Sequence, residues 1–157
     1  MLHFKRFEKF TGAIADCYKY IIKLKSREMS SFGLKASHVM CLYFLGQNPE
    51  GLKARELVTL CHEDKAAISK TLANLKEQGY VKAEDGMLSM LKYRRRYLIT
   101  ENGMEVYDRI AEFIEDTVEK CSADLSDDEM RIFYQSMDKI TSKLQNLVGE
   151  SDENDDE

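Results

Sequence analysis

The stretch "DKAAISKTLANLKEQGYV", residues 64–81, carries the side chains best suited to contact a polyanion. Small residues near a helix N-terminus allow close approach to a groove wall, and Ser, Lys and Asn suit base edges and phosphates. At helical spacing one face of this stretch presents such residues: Lys65, Ala66, Ser69, Lys70, Ala73 and Asn74. An ordinary solvated amphipathic helix has the same pattern, so this segment alone leaves both interpretations open.

A second cationic group follows within a predicted β-hairpin, formed by "YVKAED" and "RRYLIT". The returning strand carries four cations: Lys92, Arg94, Arg95 and Arg96. Side chains alternate between the faces of a strand, so Arg95 shares the core-directed face of Tyr97 and Ile99 and is predicted to be structural. Arg94 and Arg96 are predicted to reach phosphates or a minor groove, unless the cations only protect a strand edge.

The formal net charge of −5 hides an uneven distribution. Residues 52–100 carry ten Lys/Arg and six Asp/Glu, a net +4, and residues 1–51 also carry +4. Residues 101–149 carry −7, and the terminal "ESDENDDE", residues 150–157, carries −6. A basic centre in an acidic chain suits a polyanionic partner, whereas the tail has nothing apolar to bury and is predicted to be disordered.

Residues for catalysis or metal binding are sparse. His3, His38 and His62 are scattered, and no phosphate-binding glycine loop, nucleophile elbow or HExxH motif occurs, so an enzyme is not expected. "CHED", residues 61–64, offers four ligand types, but consecutive residues cannot all face one ion and no second cluster completes a site. We therefore expect neither a metal nor a cofactor.

The cysteines and the N-terminal residues indicate the cellular compartment of the protein. "MLHFKRFEKF" lacks the apolar core of a secretory signal, and no run approaches the roughly 18 apolar residues of a membrane span. A cytoplasmic protein without a membrane partner is expected. Four cysteines without framework spacing (Cys17, Cys41, Cys61 and Cys121) favour buried thiols over disulfides, although Cys17 leaves redox sensing open.

Two short helices are predicted between residues 53 and 79, the first from about Lys53 and the second between Asp64 as N-cap and Gly79 as stop. In such a helix-turn-helix the first helix braces the second. A preceding helix is expected to be capped by Ser37. The inward face of the pair is predicted from the apolar spacing to hold Leu57, Leu60, Ile68, Leu72 and Leu75.

Long helices flank this region. Thr100 precedes one that runs to about Ala123, and Ser126 with Glu129 forms a capping box for the next. The first and last helices each carry an apolar seam with alternating spacings of three and four, which is typical of association between helices. The seams comprise Phe7, Phe10, Ile14, Cys17, Ile21 and Leu24, and Met130, Phe133, Met137, Ile140, Leu144 and Leu147.

The predicted fold is mainly α with a small β-hairpin wing: a winged helix-turn-helix with long terminal dimerisation helices. The predicted domains are a DNA-binding region at 34–100, a helical dimerisation region at 1–33 and 101–149, and an acidic tail at 150–157.

The order of these elements, with "GLKARELVTLC", "DKAAISKTLANLKEQGYV" and "LITENG", resembles the MarR-type (multiple-antibiotic-resistance) winged-helix regulators over residues 1 to about 148. The resemblance implies a homodimer joined through its terminal helices, with two winged domains that read a palindrome. It maps recognition-helix contacts onto Lys65, Ala66, Ser69, Lys70 and Asn74, and wing contacts onto the Arg94–Arg96 run. With Lys92 and without Arg95, these are the expected DNA-binding residues.

The resemblance also implies a small-molecule effector bound where the dimer helices meet the winged domain. From helix faces, its lining would be drawn from Tyr18, Ile21, Ile22, Met40 and Phe44. The wing departs from the family: "LKYRRR" replaces the usual Asp-Arg-Arg tip, which leaves open which arginine enters the groove. The tip also carries Met87, Leu88, Met90 and Leu91.

The expected function is a sequence-specific transcriptional regulator, a ligand-responsive repressor of a palindromic operator. The alternatives are a winged-helix protein-interaction module that does not bind DNA, and a thiol- or metal-sensing variant of the regulator.

Overall fold

The computed structural model describes residues 2–84 and 95–154, with the side chains of 2–84 and 95–149. Within those ranges the chain is mostly helical, with three short strands. The helices are α1 (Leu2–Met29), α2 (Ala36–Gln47), α3 (Ala54–Cys61), α4 (Lys65–Glu77), α5 (Glu101–Ser122) and α6 (Asp127–Asn154), with a 3₁₀ turn at Ser30–Phe32; the strands are β1 (Leu52–Lys53), β2 (Val81–Ala83) and β3 (Arg96–Ile99).

The chain divides into two compact units, Met1–Phe113 and Ile114–Glu157. The boundary between these units lies inside α5, and α1 falls in the same unit as the winged region. This assignment follows from packing, because α1 contacts α2 and the terminal Met29 of α1 is completely buried. Within this unit Arg109 Nε of α5 also lies 2.5 Å from Glu28 Oε1 of α1.

The core of the first unit lies among α2, α3 and α4 and is completed by β2 and α5. Full burial of an aliphatic side chain stabilises a fold by roughly 1.5–3 kcal/mol, so this cluster supplies the main driving force for folding the unit. Its most deeply buried aliphatic members are Val39, Leu42, Leu45, Leu57, Ile68, Leu72, Leu75, Val81, Val106 and Ile110.

Both predicted ends of α4 are confirmed. Asp64 Oδ1 accepts a hydrogen bond from the Ala67 backbone N–H at 2.7 Å, which satisfies a donor of the first turn. At the other end Gly79 adopts φ +79°, a left-handed conformation that glycine tolerates. This lets the Tyr80 N–H donate to the Leu75 carbonyl at 2.9 Å, closing a Schellman motif.

The predicted hairpin is confirmed, and it belongs to a larger sheet than expected. Strands β2 and β3 pair antiparallel, with Val81 opposite Ile99, and β1 pairs with the other edge of β3, giving the order β1-β3-β2. The β1 strand has only two residues, too few to show an alternating pattern in the sequence. It places Leu52 opposite Tyr97 and thereby ties the entry to α3 to the wing.

Two details of α2 and α3 correct the sequence predictions. Ser37 does not cap α2; the helix begins at Ala36 with Lys35 as its N-cap, and His38 Nδ1 accepts from the Lys35 N–H at 2.9 Å. Burial of the imidazole and then the charge of Lys35 lower the pKa of His38, which suits its role as a neutral acceptor. Leu60 does not face the core, because Cys61, one turn after Leu57, takes that position.

The ends of the long helices follow the predicted signals. Thr100 Oγ1 accepts from the Gly103 N–H and donates to the Gly79 carbonyl, and Ser126 and Glu129 form the capping box of α6. Helix α6 then continues through Asn154, beyond residue 150, where the tail was predicted to begin. Residues 155–157 lie outside the described part of the chain.

The apolar seam of α6 is largely exposed among the residues that the structure describes. None of the α6 side chains that the structure describes is buried, and Phe133, Ile140, Leu144 and Leu147 are all exposed. The α1 seam is also largely open, with Phe7, Ile14 and Ile21 among its exposed residues. A single copy therefore leaves both predicted seams accessible to a second helix.

None of the described helices is long and apolar enough to cross a membrane.

Candidate nucleic-acid interface

Helix α4 places the predicted recognition residues on one solvent-exposed strip. Lys65, Ala66, Ser69 and Lys70 are exposed, and Asn74 at the end of the strip is half-buried. The opposite face of α4 enters the core through Ile68, Thr71, Leu72 and Leu75. The helix is thus fixed by its apolar side, which leaves the small and polar side free to meet a partner.

The electrostatics of this strip favour an anion. The unsatisfied N–H groups at a helix N-terminus carry a partial positive charge, and Asp64 engages only that of Ala67 through its side chain. Lys65 and Lys70 add two cationic side chains on the exposed side. The Asn74 amide is less available to a partner, because its Nδ2 donates to the Lys70 carbonyl at 3.3 Å.

The wing arginines have different surroundings. Lys92 and Arg94 lie outside the described residues. Arg96, which was predicted to reach DNA, is half-buried and donates from Nη1 to the Gly51 carbonyl at 2.7 Å and towards the Glu50 carbonyl at 3.4 Å. This bond fixes the turn before β1, a structural role that sequence alternation did not suggest.

Arg95 is also half-buried, and its Nε is buried without a hydrogen-bond partner in the described part of the chain. The alternation of side chains between the two faces of a strand predicted that Arg95 lies on the core-directed face, and its buried Nε agrees with that prediction.

The residues predicted to line an effector pocket lie on α1 and α2. Tyr18 and Ile21 are exposed, and Ile22, Met40 and Phe44 are half-buried. A surface cavity of about 320 Å³ lies along α1. The cavity is lined by Tyr20, Lys23, Leu24 and Arg27.

The "CHED" segment serves to join α3 to α4. His62 adopts φ 54° and ends α3, and Asp64 caps α4. Among the described residues no group of three or more His, Cys, Asp or Glu side chains is arranged to hold a metal ion.

Sequence reasoning missed a pair of thiols behind this turn. Cys41 on α2 is buried and Cys61 at the end of α3 is half-buried; the interaction with Cys61 and then burial raise the pKa of the Cys41 thiol. The other two cysteines, Cys17 and Cys121, are exposed, so the prediction of buried thiols is wrong for them within a single chain. The one sequence signal was the spacing of four between Leu57 and Cys61, which puts Cys61 on the inward face of α3.

Comparison with known proteins supports this geometry. A family model described as the MarR family matches residues 32–86, which contain the helix-turn-helix. Among curated proteins no match to the chain was found.

Solved structures match most of the chain. The crystal structure of MarR is 26% identical, with a TM-score of 0.66, and the match covers 89% of this chain and 93% of that one. The MepR–DNA complex of S. aureus is 13% identical, with a TM-score of 0.77, over 86% of this chain and 96% of that one. A protein of Listeria monocytogenes, described as a MarR family transcriptional regulator complexed with 26mer DNA, is 16% identical, with a TM-score of 0.75, over 87% and 89%.

The family match over the helix-turn-helix and the structural match over most of the chain agree with the exposed strip of α4 and the hairpin wing. MarR family proteins are transcription regulators and not enzymes. The chain has a winged helix-turn-helix fold, and its residues 32–86 match the MarR family model.

Proposed function

We propose that the chain is a homodimeric, sequence-specific DNA-binding regulator whose α4 enters the major groove of a palindromic operator. The observation that carries this proposal is the two-sided character of α4: one face is locked into the core, while the strip containing Lys65, Ser69 and Lys70 faces solvent. Neighbours solved with DNA, from S. aureus and Listeria monocytogenes, support the choice of nucleic acid as the partner.

The proposed readout combines two kinds of contact. Ser69 and Lys70 reach base edges, and Ala66 allows the helix to approach the groove closely. Lys92 and Arg94 on the wing neutralise phosphates or enter the minor groove, which fixes orientation on the duplex. Arg96 supports them by holding the wing to the turn at Gly51.

Two copies are needed to read a palindrome, because half-sites one helical turn apart require two recognition helices related by a twofold axis. The exposed seams of α1 and α6 are the surfaces proposed for this pairing. An exposed apolar strip on each helix, at coiled-coil spacing, is what an interface of this kind requires.

We further propose that the regulator is a repressor that releases DNA when a small molecule binds. Binding would favour a separation of the two α4 helices that no longer matches the half-site spacing. The effector would lie near Tyr18, Ile21, Ile22, Met40 and Phe44. A cytoplasmic location follows from a chromosomal operator as the partner.

The proposal is tested by selecting bound sequences from random DNA and then measuring Kd on the selected duplex and on random duplex. Replacing Lys70 by alanine should weaken operator binding by about 1–3 kcal/mol, the usual contribution of a good base contact. Binding to random DNA should weaken less. The same comparison applies to Ser69→Ala.

The matched control is Lys76→Ala, which removes the same charge from another exposed lysine of α4. Lys76 lies six residues after Lys70 and therefore points about 120° away from it around the helix. If both variants lose affinity equally on both duplexes, the assigned face of α4 is incorrect. If wild-type protein retains no duplex at low salt, the protein-interaction alternative, in which the acidic half of the chain docks a partner protein, becomes the better account.

A further inference from the structure

His38 occupies a structural position that has no part in the DNA recognition described above. It is the third residue of α2, it is only 3% exposed, and its Nδ1 accepts a hydrogen bond from the Lys35 backbone N–H at 2.9 Å. Lys35 is the N-cap of α2, and a lysine side chain has no acceptor atom. The imidazole therefore supplies the side-chain hydrogen bond that caps the start of α2.

A capping box normally has glutamate or glutamine at this third position. Both remain acceptors near neutral pH, whereas an imidazole titrates there, because its unperturbed pKa is about 6.5. The Nδ1 atom of His38 can accept only in the neutral form that carries its proton on Nε2. Protonation would place a second N–H against the Lys35 N–H, so the cap bond and the positive charge exclude each other.

The surroundings of the imidazole oppose its protonation. Burial, and then the charge of Lys35, lower the pKa of His38. Helices α1, α3 and α4 and strand β3 pack against α2. Among the charged side chains that the structure describes, Lys35 is the one that acts on the imidazole. A cation formed at His38 would thus be buried near another cation and would lack the cap bond.

The capped turn is the junction between α1 and α2. Helix α1 ends at the buried Met29, whose carbonyl accepts from the Leu34 N–H at 3.1 Å, and Gly33 turns the chain with φ 66°. Tyr80 Oη donates to the Phe32 carbonyl at 3.3 Å, which joins the same turn to the residue before β2. Loss of the cap would therefore act where α1, α2 and the base of the wing meet.

We propose that His38 is a pH-sensitive joint between α1 and α2: the neutral imidazole caps α2, and the protonated imidazole releases the cap. The inference rests on the burial of the side chain and on its hydrogen bond to the Lys35 N–H. It goes beyond the proposed function, because it does not depend on DNA binding.

The direction of the pH effect follows from proton linkage. In the unfolded chain His38 is solvated and takes up its proton near pH 6.5, whereas the folded chain takes it up only at a lower pH. The free energy of unfolding is therefore insensitive to His38 well above pH 6.5. It falls as the pH drops below about 6.5, because the unfolded state then binds more protons than the folded state.

The matched variant is His38→Gln, because glutamine can accept from the Lys35 N–H at the same helical position without titrating. Urea unfolding of the full chain, at one protein concentration, gives the unfolding constant at pH 7.5 and at pH 5. Between these values we expect the constant to rise in wild type by about threefold or more beyond its rise in His38→Gln. The control is His62→Gln, which replaces an exposed imidazole at the end of α3 and should behave as wild type.

A second measurement reports on the hydrogen bond itself and needs only folded wild-type protein. In NMR spectra recorded from pH 8 to pH 4.5, the Lys35 amide resonance should move with the same midpoint as the His38 imidazole, below pH 6.5. In His38→Gln the Lys35 amide should not follow that transition.

Equal pH dependence of unfolding in wild type and His38→Gln would overturn the proposal. A Lys35 amide that stays fixed while the His38 imidazole titrates would overturn it as well. Neither readout contains DNA, so failure here would not affect the DNA-binding proposal.

Discussion

Helices α4 and α6 are both amphipathic, but they place their apolar faces in opposite situations. In α4 the apolar face is buried within the chain, and a polar strip containing Lys65, Ser69 and Lys70 remains outside. In α6 the apolar seam itself is outside, with Ile140 at 38% and Leu144 at 50% exposure. The same kind of sequence pattern therefore gives one helix whose apolar face is buried and another whose described seam residues are largely exposed.

This difference indicates what each surface is for. A fixed helix offers side chains in defined positions, which specific recognition of base edges requires. A long helix with an uncovered heptad seam offers apolar area, which association with a like helix requires. From this comparison we propose DNA readout for α4 and assembly for α6.

The largest effect is expected from a charge placed in the α6 seam. Ile140→Asp or Leu144→Asp should convert the dimer to monomer or insoluble protein, because each apolar residue buried at an interface contributes roughly 1.5–3 kcal/mol and a buried carboxylate opposes association further. Light scattering at micromolar concentration measures the mass directly.

The matched control is Ser142→Asp, which adds the same charge between these positions but off the seam. It should remain dimeric. A wild-type monomer, or equal dissociation in all three variants, would remove the assembly role from α6.

A smaller effect is expected in α3, the helix that packs against α4, where two leucines can be compared. Leu57→Ala should lower the free energy of unfolding by about 2–5 kcal/mol, because Leu57 is completely buried. Leu60→Ala should lower the free energy of unfolding by less than about 1 kcal/mol, because Leu60 is 37% exposed. Urea unfolding of the two variants measures the difference, and equal costs would mean that both leucines face the core.

The smallest effects concern two helical glycines, one in each region. A Cβ at Gly103 of α5 would overlap the Tyr80 carbonyl oxygen, so Gly103→Ala should destabilise by about 1–3 kcal/mol. A Cβ at Gly149 of α6 would meet nothing within 4 Å, so Gly149→Ala should stabilise by about 0.5–1 kcal/mol through helix propensity. Thermal unfolding of both should give shifts of opposite sign; shifts of the same sign would contradict this account of the packing at Gly103.

The sequence predicted well the features that depend on neighbouring residues. Asp64, Gly79 and Thr100 begin or end their helices as expected, since the residues in each cap or turn lie within a few positions of one another. The hairpin was also predictable, because β-leaning strands on both sides of a turn signal it locally.

The features that were missed depend on packing between distant residues. The hydrogen bond from Arg96 to the Gly51 carbonyl was not predicted, because side-chain alternation gives a face but not a partner, and Gly51 lies 45 residues away. Leu60 was placed in the core because helical spacing allowed either Leu60 or Cys61 there, and only the packing of α3 on α2 and α4 decides between them. Each of these choices depends on tertiary contacts, which a single sequence does not contain.

The number of chains on one duplex tests the central claim most directly. After selection of a bound sequence, the mass of the complex with that duplex can be measured by light scattering coupled to size-exclusion chromatography. The account predicts two chains per duplex on a site whose half-sites lie about 10–10.5 base pairs apart, because α6 joins two copies and each α4 reads one half-site. One chain per duplex, or a selected site without twofold symmetry, would contradict it.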